Sequence, residues 1–216
     1  MAIKLRDTGC VYIINRLKGC DSIPYSIVTN QEDVKTILRD YQFDHNLNNF
    51  RDWDKQQKTM LSVMDSNQGL MSLALSHQTI IGYAIILEPE PDERWRQLDF
   101  IKILGVVEVA PNYRNQKVAQ SLLQSLFLLQ ETEKFIVISL ALCWHWDLSM
   151  TNGDSVKYMH MLKRVLGSVG FEEYETNEPD IARYDVNFMT ARTGKNITTQ
   201  QVNQFTNLAM NKRFLQ

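Results

Sequence analysis

The 216-residue sequence predicts an α/β or α+β fold, a single layer of mixed sheet with helices packed on it. Three observations carry this. Apolar runs of strand length alternate along the chain with segments whose apolar residues recur at helical spacing. Residues 135–142, FIVISLAL, form an almost unbroken apolar run, the pattern of a strand covered on both faces. Residues 106–127, VVEVAPNYRNQKVAQSLLQSLF, pass from a strand through a basic polar turn into an amphipathic helix.

Taken in order, residues 3–17 alternate loosely and read as an N-terminal strand pair turning at Asp7-Thr8-Gly9. Thr29 with Glu32 has the spacing of a capping box, and Val34, Ile37, Leu38 and Tyr41 follow on one helical face. A second helix is expected over 54–65, with Trp53, Met60 and Met64 on one side. Residues 71–76 and 80–87 read as strands joined at His77-Gln78. Pro89 and Pro91 break the acidic segment 88–93 into a loop. A strand over 103–109 leads to a helix from about Gln116 to Leu129, whose buried stripe is Val118, Leu122, Leu126 and Leu129. After the strand at 135–142, Thr151 with Asp154 can cap a helix to Val169, with Gly170 at its stop. Residues 171–175 and 187–192 close the sheet. Thr198 with Gln201 opens a last helix carrying Val202, Phe205 and Leu208. The organisation expected is a strand pair at 1–20, the main domain at 21–194 and a C-terminal helix, 195–216, packed on that domain.

Composition bounds the function. The chain is 44% hydrophobic and 22% charged, which suits a folded globular protein. A formal net charge of -2 gives no general attraction to nucleic acid or anionic membrane, and no apolar run reaches membrane-span length. The charged N-terminus lacks the apolar core of a signal peptide, so a cytoplasmic location is expected. Cys10, Cys20 and Cys143 are odd in number and without CxxC spacing, which points to free thiols in a reducing compartment. His45, His77, His145 and His160 have no ligand spacing, and no metal is expected.

The chemistry concentrates in the strand-turn-helix unit. The first turn of a helix leaves backbone N–H groups without intrahelical partners at the positive end of the macrodipole, where an anion binds readily. Asn115, Gln116, Lys117, Val118, Ala119 and Gln120 supply those groups, and Arg114 and Lys117 add positive charge. The plain alternative is a solvated connection. Glu108 lies between Val107 and Val109 in an apolar strand, and a carboxylate there must be hydrogen-bonded, paired or facing a cavity. It is either a general base or a structural glutamate held by an arginine.

Residues 107–123 resemble a motif of the GNAT superfamily of N-acetyltransferases, whose turn reads Arg/Gln-x-x-Gly-x-Gly/Ala. Here it is Arg114-Asn115-Gln116-Lys117-Val118-Ala119, with Lys117 where glycine is usual. PEPDERW (89–95), VEVAPNYRN (107–115), WHWDL (144–148), TNEPDI (176–181) and FMTARTGKNITTQQVNQF (188–205) are similar to one branch, the acetoin-utilization protein acetyltransferases. The likeness covers most of the chain and is weakest before about Thr29. It implies a GNAT fold, a mixed sheet splayed between two central strands with helices on both faces. It implies acetyl-CoA as cosubstrate, with the backbone of Val107 and Val109 on the pantetheine arm and the N–H groups of 115–120 on the pyrophosphate. It also implies acetylation of a lysine on acetyl-CoA synthetase, which turns that enzyme down. Glu108 is the expected base, with His145 of WHWDL as a second candidate. Many relatives place an acid tyrosine shortly before a Gly-Phe pair. Gly170-Phe171 match, but Leu166 stands at that place, and Tyr158, about two turns earlier, is the substitute candidate. Two other readings stay open: a non-catalytic acetyl-CoA sensor, and an acetyltransferase for small amines. The acidic loop of Glu88, Glu90, Asp92 and Glu93 is a solvated face or a guide for a basic protein surface.

Overall fold

The computed structural model describes residues 3–5, 11–13 and 23–211. The turn Asp7-Thr8-Gly9, Cys10 and Cys20 lie outside the described residues. The strands and helices are, in order, β1 (Ile3–Leu5), β2 (Val11–Ile13), β3 (Ser26–Val28), α1 (Gln31–Asp40), β4 (Gln42–Phe43), α2 (Trp53–Asp65), β5 (Gly69–Ser76), β6 (Thr79–Leu87), β7 (Ile101–Val109) and α3 (Val118–Leu126). They continue with β8 (Ile136–Ala141), α4 (Ser155–Gly167), β9 (Glu172–Glu173), α5 (Pro179–Ala182), β10 (Phe188–Thr193) and α6 (Thr199–Ala209). The chain divides into two compact units, Met1–Leu87 with Gly105–Leu129 and Glu88–Leu104 with Gln130–Gln216. The end of β7 falls in the first unit, where the strand order is β3-β5-β6-β7 with β4 also on β6, and its start falls in the second, where the order is β7-β8-β10-β9.

In the first unit β1 and β2 pair antiparallel, with Ile3 opposite Ile13. Strand β5 runs antiparallel to β3 and β6, and β4 lies parallel to β6. The period of two along β5 sorts its neighbours. Met71, Leu73 and Leu75 join Val34 and Leu38 of α1 and Met60 and Met64 of α2 in one core. Ser72, one residue out of phase, donates its hydroxyl to the Leu122 carbonyl of α3 at 3.0 Å. Helices therefore cover both faces of this unit's sheet. Burying side chains such as Leu38 or Met64 stabilises the unit by roughly 1.5–3 kcal/mol each.

In the second unit β7 pairs parallel with β8 at Ile101↔Ile136, Lys102↔Val137 and Ile103↔Ile138, and β10 runs antiparallel to β8 and β9. Trp95, Phe100, Ile101, Ile138, Met189 and Phe205 centre its core. Lys102 is a strand residue here, so β7 begins two residues earlier than expected.

The predicted caps divide. Thr198 and Gln201 form the expected reciprocal box at α6, each side chain bonding the other's backbone N–H. At α1 the cap is Asn30, not Thr29, and its side chain accepts from the N–H groups of Glu32 and Asp33. Thr29 is buried at the strand's end, so the helix opens one residue later. At α4 the cap is Asp154, which accepts from Lys157 N–H, while Thr151 ends a preceding 3-10 turn, Leu148–Thr151. The helix stops at Gly167, and Gly170, at φ 88°, supplies the left-handed step that follows.

Candidate active site

Glu108 is buried in the second half of β7. Its Oε2 accepts from the Tyr83 hydroxyl at 2.8 Å, and its Oε1 accepts from the backbone N–H of Asn49 at 2.9 Å. Tyr83 comes from β6, and Asn49 from the connection between α1 and α2. The partners are a phenol and a main-chain amide, so the arginine pairing weighed for a structural glutamate gives way to these two donors. Behind them, Gln56 Nε2 of α2 donates to Tyr83 Oη at 2.8 Å. Burial, followed by the Glu108 charge, pushes the Tyr83 phenol well above its ordinary value; the Gln56 hydrogen bond and the Arg51 charge oppose this.

The backbone of β7 alternates in direction. Ala110 N–H donates to the Ile81 carbonyl of β6 at 2.9 Å, which turns Glu108 and Ala110 toward β6. Val107 and Val109, one residue out of phase, direct their peptide groups away from it. One of those groups already has a partner: Arg114 Nε donates to the Val109 carbonyl at 3.0 Å, tying the turn back onto the strand.

The turn differs from the expected helical start. Pro111–Tyr113 forms a 3-10 turn, and α3 begins at Val118 rather than near Gln116. Asn115 and Lys117 both adopt left-handed backbone, with φ 62° at each. Lys117 is therefore the N-cap of α3 and lies outside its first turn, and its side chain makes no capping bond. The first-turn amides are those of Val118, Ala119 and Gln120. The Tyr25 hydroxyl braces the turn, donating to the Gln116 carbonyl at 3.2 Å and lying 3.1 Å from Ser121 Oγ.

The left-handed Lys117 gives a physical reason for glycine in the resembling motif. A side chain there costs about 1–2 kcal/mol that glycine does not incur. Lys117→Gly is expected to raise unfolding stability by about 1 kcal/mol, read as a higher Tm. The same change removes a positive charge from the turn, so the KM for a phosphate-bearing cosubstrate is expected to rise. A variant that lowers both Tm and KM overturns both expectations.

His145 and Tyr158 lie in the second unit. His145 ends the 3-10 turn Cys143–His145 and is exposed. Trp144, also exposed, meets Tyr184 edge-on at 5.3 Å, and Tyr158 stacks on Trp146 at 5.2 Å. Asp147 caps the following turn at Ser149 N–H. In the acidic loop Glu88 is engaged by Lys102 at 2.6 Å and Arg96 at 2.9 Å. Glu93, Asp92, Glu178 and Asp180 line a cavity of about 420 Å³ floored by Trp95, Leu140 and Leu142. Among the described residues no group of three His, Cys, Asp or Glu is placed to hold a metal, and no helix is long and apolar enough to cross a membrane.

The sequence singled out Glu108 but not Tyr83, Gln56 or Asn49. Tyr83 carried a weak signal as the one polar-tipped side chain in IIGYAIIL, a strand otherwise apolar. A buried tyrosine needs a partner for its hydroxyl.

No family model matches the chain. The acetoin utilization proteins AcuA of Bacillus licheniformis and Bacillus subtilis are each 31% identical to it over 180 residues, spanning 82% of this chain and 86% of theirs. The crystal structure of an acetoin utilization protein from Exiguobacterium sibiricum superposes with a TM-score of 0.84 at 26% identity, covering 98% of this chain and 99% of that one. Shared sequence over four-fifths of the length and a shared fold over nearly all of it lead to one assignment. The chain belongs to the AcuA family of acetoin utilization proteins.

Proposed function

We propose that this protein transfers the acetyl group of acetyl-CoA to a lysine side chain of acetyl-CoA synthetase in the cytoplasm, and so turns that enzyme down during acetoin and acetate use. The observation that carries the reading is the buried Glu108 carboxylate, held by two donors on the strand that leads into the turn at 114–120. The synthetase as acceptor rests on the likeness of the segments quoted above to the acetoin-utilization branch.

A lysine ammonium has a reference pKa of about 10.4 and is not a nucleophile until it loses a proton. Each Glu108 oxygen accepts one hydrogen bond and retains a lone pair, so the carboxylate can take that proton directly or through a water. The freed amine attacks the thioester carbonyl and the C–N bond forms; the C–S bond breaks to release CoA thiolate, and the second proton shed by the nitrogen passes to that thiolate or to solvent. A thiol of reference pKa about 8.5 leaves without an obligatory acid, so the reading does not require Tyr158. His145 is the reserve base. The outward peptide groups of Val107 and the N–H of Val109, whose carbonyl Arg114 holds, are suited to pairing with the amides of the pantetheine arm. The N–H groups of Val118, Ala119 and Gln120, with the amides of Asn115, Gln116 and Lys117 and the charges of Arg114 and Lys117, suit the pyrophosphate.

Incubation with acetyl-CoA and acetyl-CoA synthetase, followed by intact-mass analysis, tests the proposal. The expected result is a gain of one acetyl group on the synthetase together with loss of its activity. Inhibition without a mass gain overturns the catalytic reading in favour of a binding inhibitor. Acetylation confined to free amines overturns the protein acceptor.

A further inference from the structure

The polar side chains behind Glu108 form a directed chain from α2 to β7. Gln56, Tyr83 and Glu108 are buried, with relative exposures of 2%, 0% and 5%, and bond one another directly. Proton counting fixes the direction. An ionised carboxylate only accepts, so the one hydroxyl proton of Tyr83 points to Glu108 Oε2. The phenol oxygen then has lone pairs alone for Gln56, which must present its NH₂ group. That orientation leaves Gln56 Oε1 buried without a hydrogen-bond partner among the described residues. An unsatisfied buried acceptor costs about 1–3 kcal/mol, so this arrangement is a poor way to stabilise a core. It is a good way to hold a carboxylate. Two apolar residues at 56 and 83 would pack β6 against α2 without that cost, but would leave Oε2 without its donor.

We infer that Tyr83 and Gln56 are positioning residues for acetyl transfer, with Gln56 locking the Tyr83 hydroxyl and Tyr83 locking the Glu108 carboxylate in the rotamer that meets the acceptor amine. The inference rests on Glu108 being the base. The elevated proton affinity of the phenol keeps Tyr83 a donor across the working pH range. Asn49 N–H fixes the other oxygen, so the carboxylate plane is set from two directions by groups on β6 and on the α1–α2 connection. Holding a reacting group to within a fraction of an ångström matters because a misplacement of about 1 Å can cost about 100-fold in rate.

The test is a double-mutant cycle read by steady-state kinetics with labelled acetyl-CoA. Tyr83→Phe is expected to lower kcat by about 10- to 100-fold with the KM for acetyl-CoA unchanged, because the hydroxyl is fully buried against Glu108 and Gln56. In a Glu108→Gln background the same substitution is expected to cost nothing further. Gln56→Met keeps the phenol and is expected to lower kcat in the same direction by a smaller factor; it carries the test if Tyr83→Phe does not fold. Full turnover in Glu108→Gln overturns the base itself. A large loss in Glu108→Gln, with Tyr83→Phe costing the same factor in both backgrounds, overturns the positioning role alone. So does wild-type kcat in Tyr83→Phe, or in Gln56→Met where that variant carries the test.

Discussion

Glu108→Gln lowers kcat by about two to four orders of magnitude while acetyl-CoA affinity is retained, the loss expected when a general base is removed. The substitution keeps the length and shape of the side chain and changes what it can accept. The two donors that meet the carboxylate, Tyr83 O–H and Asn49 N–H, then face one amide oxygen and one NH₂ group. The amide oxygen can meet Asn49 N–H while the NH₂ donates to Tyr83 Oη, so both contacts persist with the phenol proton turned away, but charge-assisted hydrogen bonds become neutral ones and a stability loss of about 1 kcal/mol accompanies the kinetic one. Thermal unfolding measures that loss separately, and titration calorimetry with acetyl-CoA or CoA measures the retained affinity. The binding groups of the proposal are backbone amides and the cations of the turn, none of which the substitution alters. Unchanged turnover across the pH range removes Glu108 from the role and brings His145 forward. A parallel collapse of affinity and turnover assigns the carboxylate to holding β7 in shape.

The sequence exposes features that depend on one element and hides those that depend on several. Thr198 and Gln201 meet because they are three residues apart on one helix, and their reciprocal cap forms as expected. Glu108 stands out because a carboxylate between valines in a strand has to be accounted for locally. Its donors, by contrast, come from the α1–α2 connection and β6, with Gln56 behind them on α2, and no spacing in the chain joins 49, 56, 83 and 108. The turn at 114–118 resembles a phosphate-binding motif in residue type, yet the left-handed backbone of Lys117 is set by how β7 hands the chain to α3. A lysine gives no sign of that conformation, whereas the glycine usual there would have. The short strands β3 and β4 went unread for a related reason. Three and two residues give no period to detect, and their pairing to β5 and β6 is what makes them strands. At α1 two adjacent cap-competent residues, Thr29 and Asn30, compete, and burial of Thr29 decides the outcome.

Gly82→Ala tests how tightly Glu108 depends on the packing of its neighbour strand. A Cβ at Gly82 of β6 would lie 2.8 Å from the Glu108 carbonyl oxygen, and 3.4 Å from both Val109 Cα and Leu122 Cδ1. The nearest of these is backbone and cannot rotate away, so β6 and β7 must shift where the carboxylate is anchored. Leu122 of α3 blocks the movement from one side, and the Ala110 hydrogen bond to Ile81 resists it along the strand. Overpacking of this kind costs about 1–3 kcal/mol, which for a chain of this size lowers Tm by roughly 2–12 °C. Moving Glu108 relative to Asn49 and Tyr83 also loosens both hydrogen bonds, so kcat falls by at least about 10-fold, more than the stability loss alone explains at temperatures where the variant stays folded. Kinetics well below the lowered Tm separate the two effects. If kcat there equals that of the parent, Glu108 tolerates displacement of its strand and its placement is set by side-chain partners alone. If Tm is also unchanged, the close approach of β6 to β7 does not constrain this region, and the glycine is dispensable.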